Sequence, residues 1–184
     1  IRKILNIYPL KTDILAFGAH PDDVELSCSG TLLVHMELGH SAGIIDLTRG
    51  ELGTRGNAQL REQEAAQASK ILGIAARENL EMKDGFFQND PEHQLQVIRM
   101  IRKYQPAIVL CNAIKDRHTD HGRAAELVRT SAFLSGLVKI HTEEGGKAQH
   151  PWRPQAVYHY IQDYYIQPDI LIDVTAVWEK KMQA

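Results

Sequence analysis

Short apolar runs alternate with longer amphipathic stretches along most of the chain. Residues 13–19 (DILAFGA) and 41–47 (SAGIIDL) are apolar almost throughout, the pattern of strands buried on both faces. Residues 24–38 between them have helical character and stop at Gly39. A glycine-rich loop covers 48–57, and a second helix over 60–72 ends at Gly73. Residues 76–82 form a weak third strand, followed by a polar loop over 83–90. Pro91 opens a helix where a missing N–H costs nothing, and that helix runs to Tyr104. Residues 106–112 (PAIVLCN) are the clearest strand. A loop then carries Asp116 to His121, and a long helix extends to about residue 140. A connection over 143–153 leads to late strands at 155–161 and 169–174, and the last residues begin a helix.

Strand–helix alternation predicts an α/β fold, a Rossmann-like doubly wound and mostly parallel sheet with helices on both faces. In that order the first and fourth strands lie side by side and their outgoing loops diverge, opening a crevice at their carboxyl ends. The loops are 18–23 and 113–121, and they hold the most unusual residues in the chain. With 184 residues, one domain over 13–184 is expected, preceded by an extension over 1–12. The chain lacks an initial Met and stops inside a helical pattern, so the C-terminal part of the domain is expected to be missing.

The net charge of -2 offers no attraction for a polyanion, and no nucleic-acid partner is expected. The apolar runs are strand-sized, so no membrane span is expected. Arg2, Lys3, Asn6 and Lys11 interrupt the first apolar residues, which argues against a signal peptide. Cys28 and Cys111 sit in apolar segments and read as buried fillers, in keeping with a reducing cytoplasm.

The first loop reads Ala19-His20-Pro21-Asp22-Asp23-Val24-Glu25 and the second Asp116-Arg117-His118-Thr119-Asp120-His121. Imidazole and carboxylate together suit Zn²⁺, and an open catalytic zinc site takes three protein ligands and a water. His20, Asp22, Asp23, His118, Asp120 and His121 exceed three, leaving groups for a base and an oxyanion partner. No G-x-G-x-x-G follows the first strand, and there is no P-loop lysine and no G-x-S-x-G elbow. A plain alternative for Asp22-Asp23 is a helix cap and first-turn acid, compatible with metal binding. Glu25 reads as a first-turn acid or supporting group rather than a ligand. Of the arginines in or after the glycine-rich loop, Arg61 is favoured as functional, Arg55 weakly, and Arg49 not.

The A-H-P-D-D-x-E loop and the H-x-D-H loop, with the intervening D-L-T-R-G-E-L-G-T-R-G and L-R-E-Q-E-A segments, resemble the LmbE/PIG-L family of zinc-dependent N-acetylglucosamine de-N-acetylases. The A-F-G-A-H-P-D-D-V-E-L-S-C run and the D-R-H-T-D-H loop are most similar to the deacetylases of bacillithiol biosynthesis, which act on N-acetylglucosaminyl malate. Thr119 stands where many members carry proline. The resemblance implies His20, Asp23 and His121 as ligands of one zinc per chain, with another divalent metal such as Fe²⁺ compatible. It implies Asp22 as general base, His118 as a cation facing the oxyanion, Arg61 as a substrate contact and Asp120 as a carboxylate orienting an imidazole from behind. An N-acetylated amino sugar is the implied substrate, in a cytoplasmic, homo-oligomeric enzyme. Two rivals stand beside this reading: a two-metal phosphoesterase, and a non-catalytic sugar- or nucleotide-binding module on the same fold.

Overall fold

In β1 (Ile14–Gly18) every position is buried, and so is every position of β2 (Ala42–Thr48). The computed structural model describes residues 11–54 and 56–184; Arg55 and most of the expected extension, residues 1–10, lie outside the described residues. Thr12 is buried, and its N–H bonds to the Tyr104 carbonyl. Between β1 and β2 run α1 (Asp23–Ser27) and α2 (Ser29–Glu37). There follow α3 (Ala58–Leu72), β3 (Ala76–Met82), α4 (Pro91–Tyr104), β4 (Ile108–Cys111) and α5 (Thr119–Leu134). The small hairpin β5 (Glu143–Glu144) and β6 (Lys147–Ala148), then β7 (Ala156–His159) and α6 (Trp178–Gln183), complete the chain.

The central sheet has the order β3-β2-β1-β4-β7, and every pair in it is parallel. This is the doubly wound arrangement expected from the alternation, with β1 and β4 adjacent at the reversal of strand order. Val97 and Ile101 of α4 and Leu127 and Val128 of α5 pack on one sheet face. Leu32 and Leu33 of α2, Leu72 of α3 and Val177 pack on the other. Local capping agrees with the expected boundaries. Asn57 caps α3 by accepting from the Leu60 N–H, Gly73 closes it in the left-handed region, and Asp90 caps α4 ahead of Pro91.

Three expected elements differ. The helix over 24–38 is two helices broken at Cys28, because the Ser29 hydroxyl donates to the Glu25 carbonyl at 2.6 Å and diverts it from the helical ladder. The long helix ends at Leu134 rather than near residue 140, since the carbonyls of Ser135, Leu137 and Ile140 are gathered by buried Arg102. Residues 169–174 are not a strand. Ile170 and Leu171 are exposed, while Val174 lies against Gly30 of α2, so close that an added Cβ there would meet it at 2.8 Å. The sequence pattern suits a strand, but the neighbours needed to pair with it are absent among the described residues.

Arg102 is 3% exposed and satisfies three carbonyls and the Thr142 hydroxyl. Arg102→Met keeps the apolar stem but strands those acceptors. It should lower the unfolding free energy by about 2–4 kcal/mol in urea titration with the m-value unchanged.

Candidate active site

The turn after β1 is held from both sides. The Thr48 hydroxyl and N–H, at the end of β2, donate to the Ala19 carbonyl at 2.8 and 3.1 Å. Asn112, just past β4, accepts from the Ala19 N–H at 3.0 Å. Within the turn, the N–H groups of Asp22 and Asp23 both reach the His20 carbonyl. Gly18 permits the tight return: a Cβ there would sit 3.0 Å from the His20 carbonyl oxygen and 3.1 Å from the Asp23 Cβ. On the other strand, His118 caps α5, so Asp120 and His121 sit on its first turn rather than in a loop.

These two segments meet. His121 Nε2 is 3.1 Å from Asp23 Oδ1, and His20 Nδ1 is 3.7 Å from Asp23 Oδ2. The remaining ring nitrogens face outward to carboxylates. His121 Nδ1 contacts Asp116 at 2.5 Å, while His20 Nε2 contacts Asp84 at 3.1 Å and Asp120 at 3.5 Å. Each imidazole is thus oriented through one nitrogen and offers the other toward Asp23, the arrangement found behind metal-ligating histidines. Nitrogen atoms of His20, His118 and His121 also lie within 4.8 Å of one another. A donor set of two oriented imidazoles and a carboxylate fits a single borderline divalent cation such as zinc.

Asp23 is 4% exposed, and both its oxygens are used. Asn112 Nδ2 and the His20 N–H donate to Oδ2, each at 2.9 Å, and Gln162 Nε2 donates to Oδ1 at 3.0 Å. Burial acts to raise its carboxyl, but the hydrogen bond and charge of His121 outweigh it and hold the group below its ordinary value. Burial acts to lower His121, and Asp23 and Asp116 outweigh it in the opposite direction. Asp22 differs: burial and the Asp23 charge push its carboxyl up, against the pull of Arg61. His118 is pulled down by burial and by the neighbouring His20 and His121.

An open cavity of about 640 Å³ is lined by all of the expected residues except Asp120: His20, Asp22, Asp23, Arg61, His118 and His121. Asp120 is fully buried behind it, accepting from the Gly85 N–H and from Arg123. Arg61 reaches from α3 to within 3.6 Å of Asp22. Its guanidinium lies so close to the Gly50–Gly53 turn that a Cβ at either glycine would come within 3.1 Å of it. Arg49 pairs with Glu62 at 3.9 Å.

Four residues had no role assigned from sequence. Asp116 and Asp84 hold the imidazoles, and Asn112 and Gln162 hold Asp23. All four follow carboxyl ends of strands, Asp84 after β3, Asn112 and Asp116 after β4, and Gln162 after β7. That placement was the available signal, blurred for Asp84 and Gln162 by weakly patterned strands.

Residues 15–132 match the family model described as PIG-L, GlcNAc-PI de-N-acetylase. The conserved protein TT1542 from Thermus thermophilus is similar in structure, with a TM-score of 0.87 at 36% identity, covering 94% of this chain and 76% of that one. A 4-oxalmesaconate hydratase of Pseudomonas putida is 25% identical across 97% of this chain and 74% of its own length. The N,N'-diacetylchitobiose deacetylase of Pyrococcus horikoshii shares the fold, with a TM-score of 0.80 at 22% identity over 98% of this chain and 71% of that one.

Asn112 is fully buried and bonds Ala19, Asp23 and Gln162. Asn112→Ala strands a buried N–H and weakens the support of a buried carboxylate. The metal-free protein should lose about 2–3 kcal/mol of unfolding free energy in urea.

Proposed function

The chain belongs to the GlcNAc-PI de-N-acetylase (PIG-L) family, and from that premise we propose that it is a metal-dependent hydrolase removing the acetyl group from an N-acetylated amino sugar. The observation that carries this reading is that Asp23 lies between His20 Nδ1 and His121 Nε2, at 3.7 and 3.1 Å, with Asp22 and His118 lining the same cavity. A zinc ion held by His20, Asp23 and His121 would acidify water and polarise the acetamide carbonyl; iron(II) suits the same donors.

Asp22 is the general base. It is half-exposed in the cavity, and its raised carboxyl brings its proton affinity closer to that of the proton it takes. Once protonated, it can hand that proton to the leaving amine. His118 Nδ1 accepts from the Asp120 N–H at 3.3 Å, which leaves the proton of the neutral ring on Nε2. His118 lines the cavity and faces the developing oxyanion through Nε2–H. Asp84 and Asp120 act as orienting partners of His20. One metal per chain follows, whereas a phosphoesterase would hold two.

N-acetylglucosaminyl malate is the proposed substrate. Arg61 and Arg117 line the cavity and supply cations suited to sugar hydroxyls and the malate carboxylates. Leu26 and Leu52 add an apolar rim. The sequence likeness to the hydratase motivates a second reading, water addition to an unsaturated carboxylate at the same site.

Acetate release should be fastest from N-acetylglucosaminyl malate in a panel with free N-acetylglucosamine and N,N'-diacetylchitobiose. Loss of absorbance from 4-oxalmesaconate without any acetate release would favour the second reading. Asp22→Ala should lower kcat by roughly 10²–10⁴-fold while zinc stays near one per chain by metal analysis. His121→Ala should lose both zinc and turnover. If Asp22→Ala empties the site and Asp23→Ala does not, the two carboxylate roles are reversed.

A further inference from the structure

α1 carries Asp23 at its first residue and follows directly on Asp22, yet it has only five residues and no side-chain N-cap. A helix this short has no stability of its own. It is tethered by a buried ionic cluster. Arg77 of β3 donates to Asp46 of β2 through Nε and Nη2, at 2.7 and 2.9 Å, and its Nη1 reaches Glu25 of α1. Asp46 pairs in register with Gly18, the last residue of β1 ahead of the His20 turn. The guanidinium therefore ties α1 to the strand beside that turn. The second Glu25 oxygen is buried with no partner among the described residues, so Arg77 is the compensating group for this carboxylate. From the other side, Lys181 of α6 donates to the carbonyls of Glu25 and Leu26 at 2.9 and 3.0 Å.

We infer that Arg77, acting through Glu25, is the positioning residue that fixes α1 and thereby the aim of Asp22 and Asp23. Neither Arg77 nor Glu25 lines the cavity, so neither touches substrate. Arg77 spans two anchors that a lysine could not hold together, because only a planar fork can bond Asp46 through two nitrogens and still present a third to Glu25. The consequence for metal binding rests on the function proposed above; the consequence for α1 order does not.

The test uses the full chain in Glu25→Gln, which leaves the Arg77–Asp46 bonds in place, and in Arg77→Lys. The first readout is amide exchange in metal-free protein at Leu26 and Cys28, whose N–H groups bond the Asp22 and Val24 carbonyls. Both amides should exchange at least ~10-fold faster in Glu25→Gln, with β2 amides unchanged. The second is zinc affinity by chelator competition, which should fall at least ~10-fold in both variants. Lys103→Met, which removes ion pairs to Glu78 and Glu144 remote from the site, should leave zinc affinity at the wild-type value. Wild-type exchange at Leu26 and Cys28 in folded Glu25→Gln overturns the inference. So does an equal loss of zinc affinity in Lys103→Met, because the effect would then be global. A wild-type chain that binds no zinc overturns the metal reading instead, and the exchange rates still decide the role of Arg77.

Discussion

A carboxylate buried to 4% exposure must have its charge met by neighbours, and the centre of this molecule is built around meeting that requirement for Asp23. Its partners come from four places: the His20 N–H in its own turn, Asn112 after β4, His121 on the first turn of α5, and Gln162 after β7. Only a sheet with β1 beside β4 and β7 next in line brings these positions within hydrogen-bond reach. The strand order is therefore a condition of the site's electrostatics as well as of the core.

The same logic extends outward. The carboxylates that hold the imidazoles are themselves held by further donors. Asp116 holds His121 and is itself held by the N–H groups of Asp163 and Tyr164, at 3.1 and 2.9 Å. Asp84 holds His20 and takes the Leu52 N–H at 2.9 Å, tying the glycine-rich loop to the imidazole. Asp120 faces His20 and is fixed by Gly85 and Arg123. Supporting carboxylates of this kind set both the direction and the basicity of an imidazole. Asp22 stands apart in this scheme: it lines the cavity half-exposed, with Arg61 3.6 Å away, and burial and the Asp23 charge raise its carboxyl.

Much of the fold was legible in the chain. The apolar runs at β1, β2 and β4 and the stops at Gly73 and before Pro91 marked true boundaries, because they reflect local chemistry: burial on both faces, left-handed backbone, a missing donor. Failures came where distant residues intervened. Cys28 breaks a helical pattern because Ser29 and Lys181 claim the Glu25 carbonyl. Arg102 ends α5 early, and 169–174 have the strand pattern without a strand to pair with among the described residues.

By itself the sequence determined which residue types stand at the two strand ends, and hence that His20, Asp22, Asp23, His118 and His121 could share a crevice. Motif spacing carries that information, since it is written within a few consecutive positions. The tertiary structure alone decided which nitrogen of each imidazole faces Asp23, that Asp116 and Asp84 hold those rings, and that Arg77 braces the helix beneath them. These pairings join residues as far apart in the chain as Asp23 and His121. Their selection depends on side-chain reach and on the cost of leaving a buried charge unanswered, quantities that exist only once the strands are packed.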